Sequence, residues 1–326
     1  PPPPAAPFDP FLCSGHDIIL WLLTLAILAR FTASLSTMSK PSAVFQHVPA
    51  SALYVSEPNP SWFGNGENTP SAKGWTNGNW LKSRFHFSFA EYSNPLNSNF
   101  GVLRVMNDDL VQPRRGFGTH PHRDMEIMTY VVSGKLTHKD SMGNEKHVGR
   151  GGVQYMSAGT GVAHSEFNHH DEPLRFLQCW VVPDRRGHTP NYGQYDGEVE
   201  GRLNQWQHLA SCFANKDVDT PVKVHQDVNL YATELQEGAE VSFTLLPGRQ
   251  LYLSCMEGEV TMKSAAGAPL VLSRHDGLEV SSAAAGGEPL DITFEATAVE
   301  DSEGGPCTHL LMFDMKEDGH GGRMDL

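Results

Sequence analysis

What most constrains this chain is how its apolar residues are spaced. They fall in short runs with a two-residue period, and turn signals close one run after another. Phe85, Phe87 and Phe89 alternate with polar residues, which is the period of a half-buried strand. Similar apolar runs recur at 101–106, 128–132, 174–182, 241–246, 251–256 and 310–313. Asn107-Asp-Asp, Met142-Gly-Asn, Gly151-Gly and Ala266-Gly read as the turns between them. No long segment carries a helical period. Strands this dense imply an all-β sandwich or barrel. A length of 326 residues allows one large domain or two of ordinary size. Two barrels fit, over 75–195 and 220–316, with 196–219 a polar connection, 38–74 a leader and 317–326 a tail. Each half ends in an apolar strand, at 174–182 and 310–313, which hints at two copies of one barrel.

The charge balance narrows the partners. Lys and Arg number 24 against 38 Asp and Glu, a net charge of −14. Such a chain has no general attraction for nucleic acid or anionic lipid. Its longest cationic runs are Arg114-Arg115 and Arg185-Arg186. Five scattered cysteines, with no CxxC pair, argue against a disulfide framework and for a reducing compartment. The expected location is cytoplasmic, with the nucleus also open. Residues 18–29 are an apolar run of a length that suits a signal-peptide core and is too short to span a membrane well. The residues before it hold Asp9 and Asp17 and no Lys or Arg, the wrong flank for such a signal. Residues 1–37 are read as non-native sequence, a targeting segment or an anchor, and Met38-Ser-Lys-Pro resembles an ordinary start.

Histidine is the unusual count: 16 in all, eight of them between His120 and His188. The motif Gly116-Phe-Gly-Thr-His120-Pro-His122 places two imidazoles at i and i+2, which face the same way in a strand. Gly159-Thr-Gly-Val-Ala-His164-Ser-Glu166 repeats the spacing with an imidazole and a carboxylate. On neighbouring strands the four donors converge, a set suited to Fe(II), Mn, Co, Ni or Zn. Glycines before both motifs permit sharp bends. An HxH alone is weak evidence, because histidines are common on wet strand faces; the second pair strengthens it. Glu126 shares the parity of His120 and His122, so spacing leaves it open as a competitor to Glu166, or as a carboxylate that orients a ligand histidine. His138, His147, His169, His170 and His188 read as surface histidines.

At these residues the chain resembles the pirin family of the cupin superfamily. The resemblance runs from Arg104-Val-Met-Asn-Asp-Asp through Gly116-Phe-Gly-Thr-His-Pro-His-Arg-Asp-Met-Glu-Ile and His138-Lys-Asp-Ser-Met-Gly-Asn to Met156-Ser-Ala-Gly-Thr-Gly-Val-Ala-His-Ser-Glu. Gly74-Trp75 with Ser83–Tyr92 resembles the family's opening strand, and Lys223-Val-His-Gln-Asp with 310–315 resembles bacterial pirin-like quercetinases. The resemblance implies a bicupin with the metal in the first barrel, held by His120, His122, His164 and Glu166, with Glu126 behind them. It implies a second barrel without metal, in which Gln250 and Tyr252 stand where ligands might have been. The activity it implies is metal-dependent opening of quercetin-like flavonols by dioxygen with release of carbon monoxide. Fe(II) would be the first choice of metal, and Glu166 would act as catalytic base. The alternative it carries is a redox-sensing, metal-dependent cofactor that binds a transcription regulator or another protein partner.

Overall fold

The computed structural model describes residues 44–59, 65, 80–283, 286 and 288–317. The expectations for residues 1–37 lie outside the described residues. The first half holds β1 (Phe45–Val48), β2 (Tyr54–Ser56), β3 (Leu81–Phe85), β4 (Leu103–Val111), β5 (Gly116–His122), β6 (Glu126–Ser133), β7 (Leu136–Asp140), β8 (Glu145–Val148), β9 (Val153–Ser157), β10 (Val162–Phe167) and β11 (Leu174–Val181). The second holds β12 (Asn191–Tyr195), β13 (Gln207–Cys212), β14 (Val222–Val224), β15 (Val228–Leu235), β16 (Glu240–Leu245), β17 (Arg249–Glu257), β18 (Glu259–Ser264), β19 (Gly267–Ser273), β20 (Gly277–Ser281), β21 (Leu290–Ala298) and β22 (Thr308–Lys316). No helix among the described residues is long and apolar enough to cross a membrane.

The hint of two copies is met in full by the topology. The first barrel pairs its strands in the order β12-β9-β6-β11-β4-β3-β2, opposite β5-β10-β7-β8. The second runs β1-β20-β17-β22-β15-β13-β14, opposite β16-β21-β18-β19. Strands β4–β11 and β15–β22 therefore trace the same path. The edges are exchanged: β1, from before the first barrel, pairs with β20, and β12, from after it, pairs with β9. Main-chain hydrogen bonds at both ends thus tie the halves together. The 38–74 leader and the 196–219 connection are more than linkers, since they supply β1, β2 and β13.

Alternation sets what each sheet face does. Met128, Tyr130, Leu177 and Cys179 of the first barrel share one apolar core with Tyr252, Met256, Leu311 and Phe313 of the second. The interior of the second barrel is mainly apolar, from Leu251 and Leu253 to Ile292, Phe294 and Met312. The interior of the first is layered. Val131, Leu136, Val148 and Phe176 fill one end. Ile127, Met156 and Val162, with Trp180, lie toward the other. Between these layers lie the buried polar residues Thr129, Gln154 and Gln178, a belt that an apolar core does not need.

Two local expectations fail, each through a hydrogen-bond partner outside the segment. Asn107-Asp-Asp is no turn but the middle of β4, and all three side chains are buried. Arg175 donates from Nε and Nη2 to the Asp108 carboxylate at 2.8 Å each, and Ser83 donates to Asp109. Distant partners make a turn-like sequence tolerable inside a sheet. The strand over 85–89 ends at Phe85, because the Ser88 hydroxyl bonds to the Asn94 and Asn97 carbonyls and closes a loop.

His86 sits in this inter-barrel zone with its Nδ1 2.8 Å from the Tyr252 hydroxyl, and burial pushes its pKa down to about 4. Unfolding frees the ring to protonate near its ordinary value, so the unfolded chain binds the extra proton between about pH 4 and 6.5. Stability from this group is complete above pH 6.5 and falls as pH drops through that window, by roughly 3 kcal/mol in total. Denaturant unfolding at several pH values should show a shallower acid slope for His86→Asn than for the wild type.

Candidate metal centre

The first-barrel site is built on β5, β10 and β7. Strands β5 and β10 pair so that Val162 opposes His122 and His164 opposes His120. The rings of His120, His122 and His164 pack with centroids 4.6–4.9 Å apart. Their donor nitrogens all lie within 4.8 Å of one another. His120 Nδ1 donates to the Gly118 carbonyl at 2.7 Å, which leaves the lone pair on Nε2. Trp180 stands edge-on to His122 at 4.8 Å. A recess of about 430 Å³ opens here, lined by Pro121, His122, Arg123, Gly161, Val162 and Ala163.

Glu166 keeps the face its spacing suggests, with Val162, His164 and Glu166 the alternate buried residues of β10. A bulge between His164 and Glu166 sets Glu166 opposite Phe117 on β5, while on the other side it opposes His138 of β7. The extra residue lies in β5, so it offsets Phe117 from His120 and leaves His164 and Glu166 on one face of β10. The structure therefore groups the donors in two sets that share His164. One is His120, His122 and His164; the other is His138, His164 and Glu166. Glu166 is buried. It accepts from Gln178 Nε2 at 2.6 Å, Thr129 Oγ1 at 2.8 Å and Gln154 Nε2 at 3.1 Å. This is the role of the polar belt: it fixes the Glu166 carboxylate inside the barrel. Thr129 also lies 2.9 Å from the Gln178 carbonyl oxygen, and its single hydroxyl hydrogen serves one of the two acceptors at a time.

The electrostatics favour a cation. Burial and neighbouring imidazoles push both His122 and His164 down to about 3, so both rings are neutral with lone pairs to give. His164 is buried, and neither ring nitrogen has a hydrogen-bond partner among the described residues. A buried imidazole with nothing to bond to is costly, and a metal ion within reach of the three rings would meet that need.

Two glycines let the strands approach. A Cβ at Gly116 would lie 2.4 Å from the Glu166 carbonyl oxygen. Gly159 has φ +42°, and a Cβ there would lie 2.0 Å from the His188 carbonyl oxygen. The same carbonyl accepts from Thr160, and Gly159 in turn accepts from the Asp124 amide, so the turn into β10 is pinned at two points. Gly159→Ala should destabilise the protein by at least about 1–3 kcal/mol and weaken metal binding as β10 shifts. Thermal unfolding and metal titration would read the two effects separately.

Other expectations need correction. His138 is fully buried beside the site, not on the surface. Its Asp140 partner is hidden inside the sheet, and no local pattern announces it. His188 is also buried, bonded to Asp184 at 2.6 Å and stacked on His225 at 3.8 Å. Exposed His147, His169 and His170 fit the expectation. Glu126 is buried, yet it accepts hydrogen bonds from Tyr155, Ser157 and the backbone and ring of His225; it clasps the two halves rather than a site histidine. Gln250 and Tyr252 lie on β17, the counterpart of β6, not on the counterpart of β5. That counterpart is β16. Aligning the end pairs Val162–His122 and Leu290–Leu245 puts Phe243 and Leu245 where His120 and His122 stand, and Ile292 and Phe294 where His164 and Glu166 stand.

Comparison with known proteins agrees with this architecture. Residues 68–181 match the Pirin family model, and residues 211–315 match the quercetinase C-terminal cupin domain. The quercetin 2,3-dioxygenase of Escherichia coli K12 is 40% identical over 211 residues, 64% of this chain and 86% of that protein. A pirin-like protein of Caulobacter vibrioides is 36% identical over 224 residues, 69% of this chain and 90% of that one. Among solved structures, the bacterial pirin YhhW of E. coli in complex with nickel(II) is 32% identical with a TM-score of 0.63, covering 84% of this chain and 100% of that chain.

Proposed function

The chain belongs to the pirin family, and from that premise we propose that its first barrel is the active site of a metal-dependent dioxygenase that opens quercetin-like flavonols. One observation carries the reading: three imidazoles converge at the mouth of a barrel, with a buried carboxylate behind them and no hydrogen-bond partner for His164 among the described residues. His120, His122, His164 and Glu166 would hold the ion, with Fe(II) the first choice and Mn, Co, Ni or Zn the alternatives. A divalent metal there supplies Lewis acidity, which favours the ionised 3-hydroxyl of a flavonol over the neutral form.

The protein's own groups do the rest. Glu166 is the catalytic base and takes the 3-hydroxyl proton onto its carboxylate. Thr129, Gln154 and Gln178 keep that carboxylate aimed. Ile127, Met156, Val162 and Trp180 form the apolar wall beside His122; they shield the flavonol rings from water. Ring opening incorporates both atoms of dioxygen and expels one ring carbon as carbon monoxide. The charge balance leaves direct nucleic-acid binding out of this reading.

Dioxygen uptake with quercetin tests it. Metal-loaded wild type should consume dioxygen, His120→Ala should lose activity as its affinity for metal falls, and His169→Ala, at an exposed position, should match the wild type. Glu166→Gln keeps an oxygen donor and removes the base, so its rate should fall further than its metal content. A fully loaded wild type that consumes no dioxygen with flavonols would sink the enzyme reading in favour of a partner-binding one.

A further inference from the structure

His138 combines features that a buried structural histidine does not need. It opposes Glu166 across the β7–β10 pair. Its Nε2 donates to Asp140 Oδ2 at 3.1 Å, and neither side chain is exposed to solvent. Asp140 is itself fixed, accepting from the Met142 and Asn144 amides and the Asn144 side chain at 2.9–3.0 Å. Tyr192 stacks on the imidazole at 4.7 Å. With Nε2 protonated, the lone pair is on Nδ1, and that atom is buried without a hydrogen-bond partner among the described residues. A ring nitrogen tied to a carboxylate, with the other left bare, is the arrangement that orients a metal-ligating histidine. A donor nitrogen of His138 lies within 4.8 Å of donor atoms of His164 and Glu166.

We propose that His138 is a metal ligand: with His164 and Glu166 it forms an inner donor set that holds a divalent metal independently of the two mouth histidines. The inference rests on the first barrel being a metal centre, not on the reaction assigned to it. The inner set is buried at all three residues, whereas His120 and His122 are partly exposed. It also contains the carboxylate, whose attraction for a dication strengthens as water is excluded. An ion arriving from solvent meets His120 and His122 first, and His164 belongs to both sets, so one imidazole stays available as the ion moves inward.

Co(II) binding to the full-length protein, followed by calorimetry and by the visible absorption of the bound ion, tests this. The double variant His120→Ala/His122→Ala should keep one Co(II) per chain with weakened affinity. Adding His138→Gln should remove that residual binding by more than the roughly 10–100-fold that losing an outer-shell partner costs. Gln retains an N–H for Asp140, and matched thermal unfolding of the apo-proteins would show that the fold survives. Asp140→Asn in the double variant should give an intermediate loss. Two results would overturn the inference: a folded double variant that binds no Co(II), or a triple variant that binds it as tightly as the double. Wild type that binds no Co(II) would overturn it together with the metal centre itself.

Discussion

His164→Ala is expected to lower the affinity for a divalent metal by more than about 100-fold, or roughly 2.7 kcal/mol. Among the described residues no other side chain belongs to both donor sets, so its loss leaves two imidazoles at the mouth and an imidazole–carboxylate pair within. The apo-protein should suffer less. Truncating a well-packed core side chain usually costs about 2–5 kcal/mol, but here the lost ring is itself buried with both nitrogens unbonded, so its removal also relieves a penalty. Metal analysis after desalting should show near-complete loss, while the thermal midpoint of the apo-protein moves little. The stabilisation that metal gives the wild type should vanish. If His164→Ala kept its metal, the three-imidazole site would be wrong.

The second large effect lies between the barrels. Arg150 Nη2 donates to Glu257 at 2.7 Å, and its Nε is 3.0 Å from Glu234, with the three side chains 2–8% exposed. Arg202 also donates to Glu234, at 2.9 Å. His309 Nδ1 donates to Glu257 at 3.1 Å and its Nε2 accepts from Tyr130 at 2.6 Å. Burial pushes Glu257 up, yet His309 and Arg150 outweigh it and hold the carboxyl at about 2. Arg150→Met keeps much of the volume but leaves two buried carboxylates short of a cation. Breaking such a pair from one side costs about 3–5 kcal/mol. Chemical denaturation should show a loss of that size, with the metal ligands untouched. A loss below about 1 kcal/mol would mean that water reaches the network and screens it.

How much of the site was legible follows from the range of each interaction. The His-Pro-His and His-Ser-Glu motifs could be read because a strand's two-residue period is a local property. Residues i and i+2 share a face whatever the strand pairs with. The pairing that sets Glu166 opposite Phe117 on one side and His138 on the other could not be read, because it depends on which strands lie beside β10, and the sequence of β10 does not contain that. His138 was missed for a similar reason. His-Lys-Asp is an unremarkable i, i+2 pair until β7 is placed beside β10.

The amino-acid sequence by itself determined the all-β class, the two-barrel count and the residue types of the metal centre. Each rests on hydrophobic alternation or on donor spacing within a few residues. The apolar lining of the second barrel was there too, in Phe243, Leu245, Ile292 and Phe294, once the correct strand is matched. Tertiary structure alone decided which histidines are buried, that Asn107-Asp-Asp lies within a sheet, that Glu126 clasps His225, and that β1 and β12 change places. These outcomes depend on partners far apart in the chain: 99 residues for Glu126 and His225, 167 for Asp108 and His275, 179 for Tyr130 and His309. A buried charge or imidazole is stable only when its partner arrives from elsewhere, and no local period records where that partner comes from.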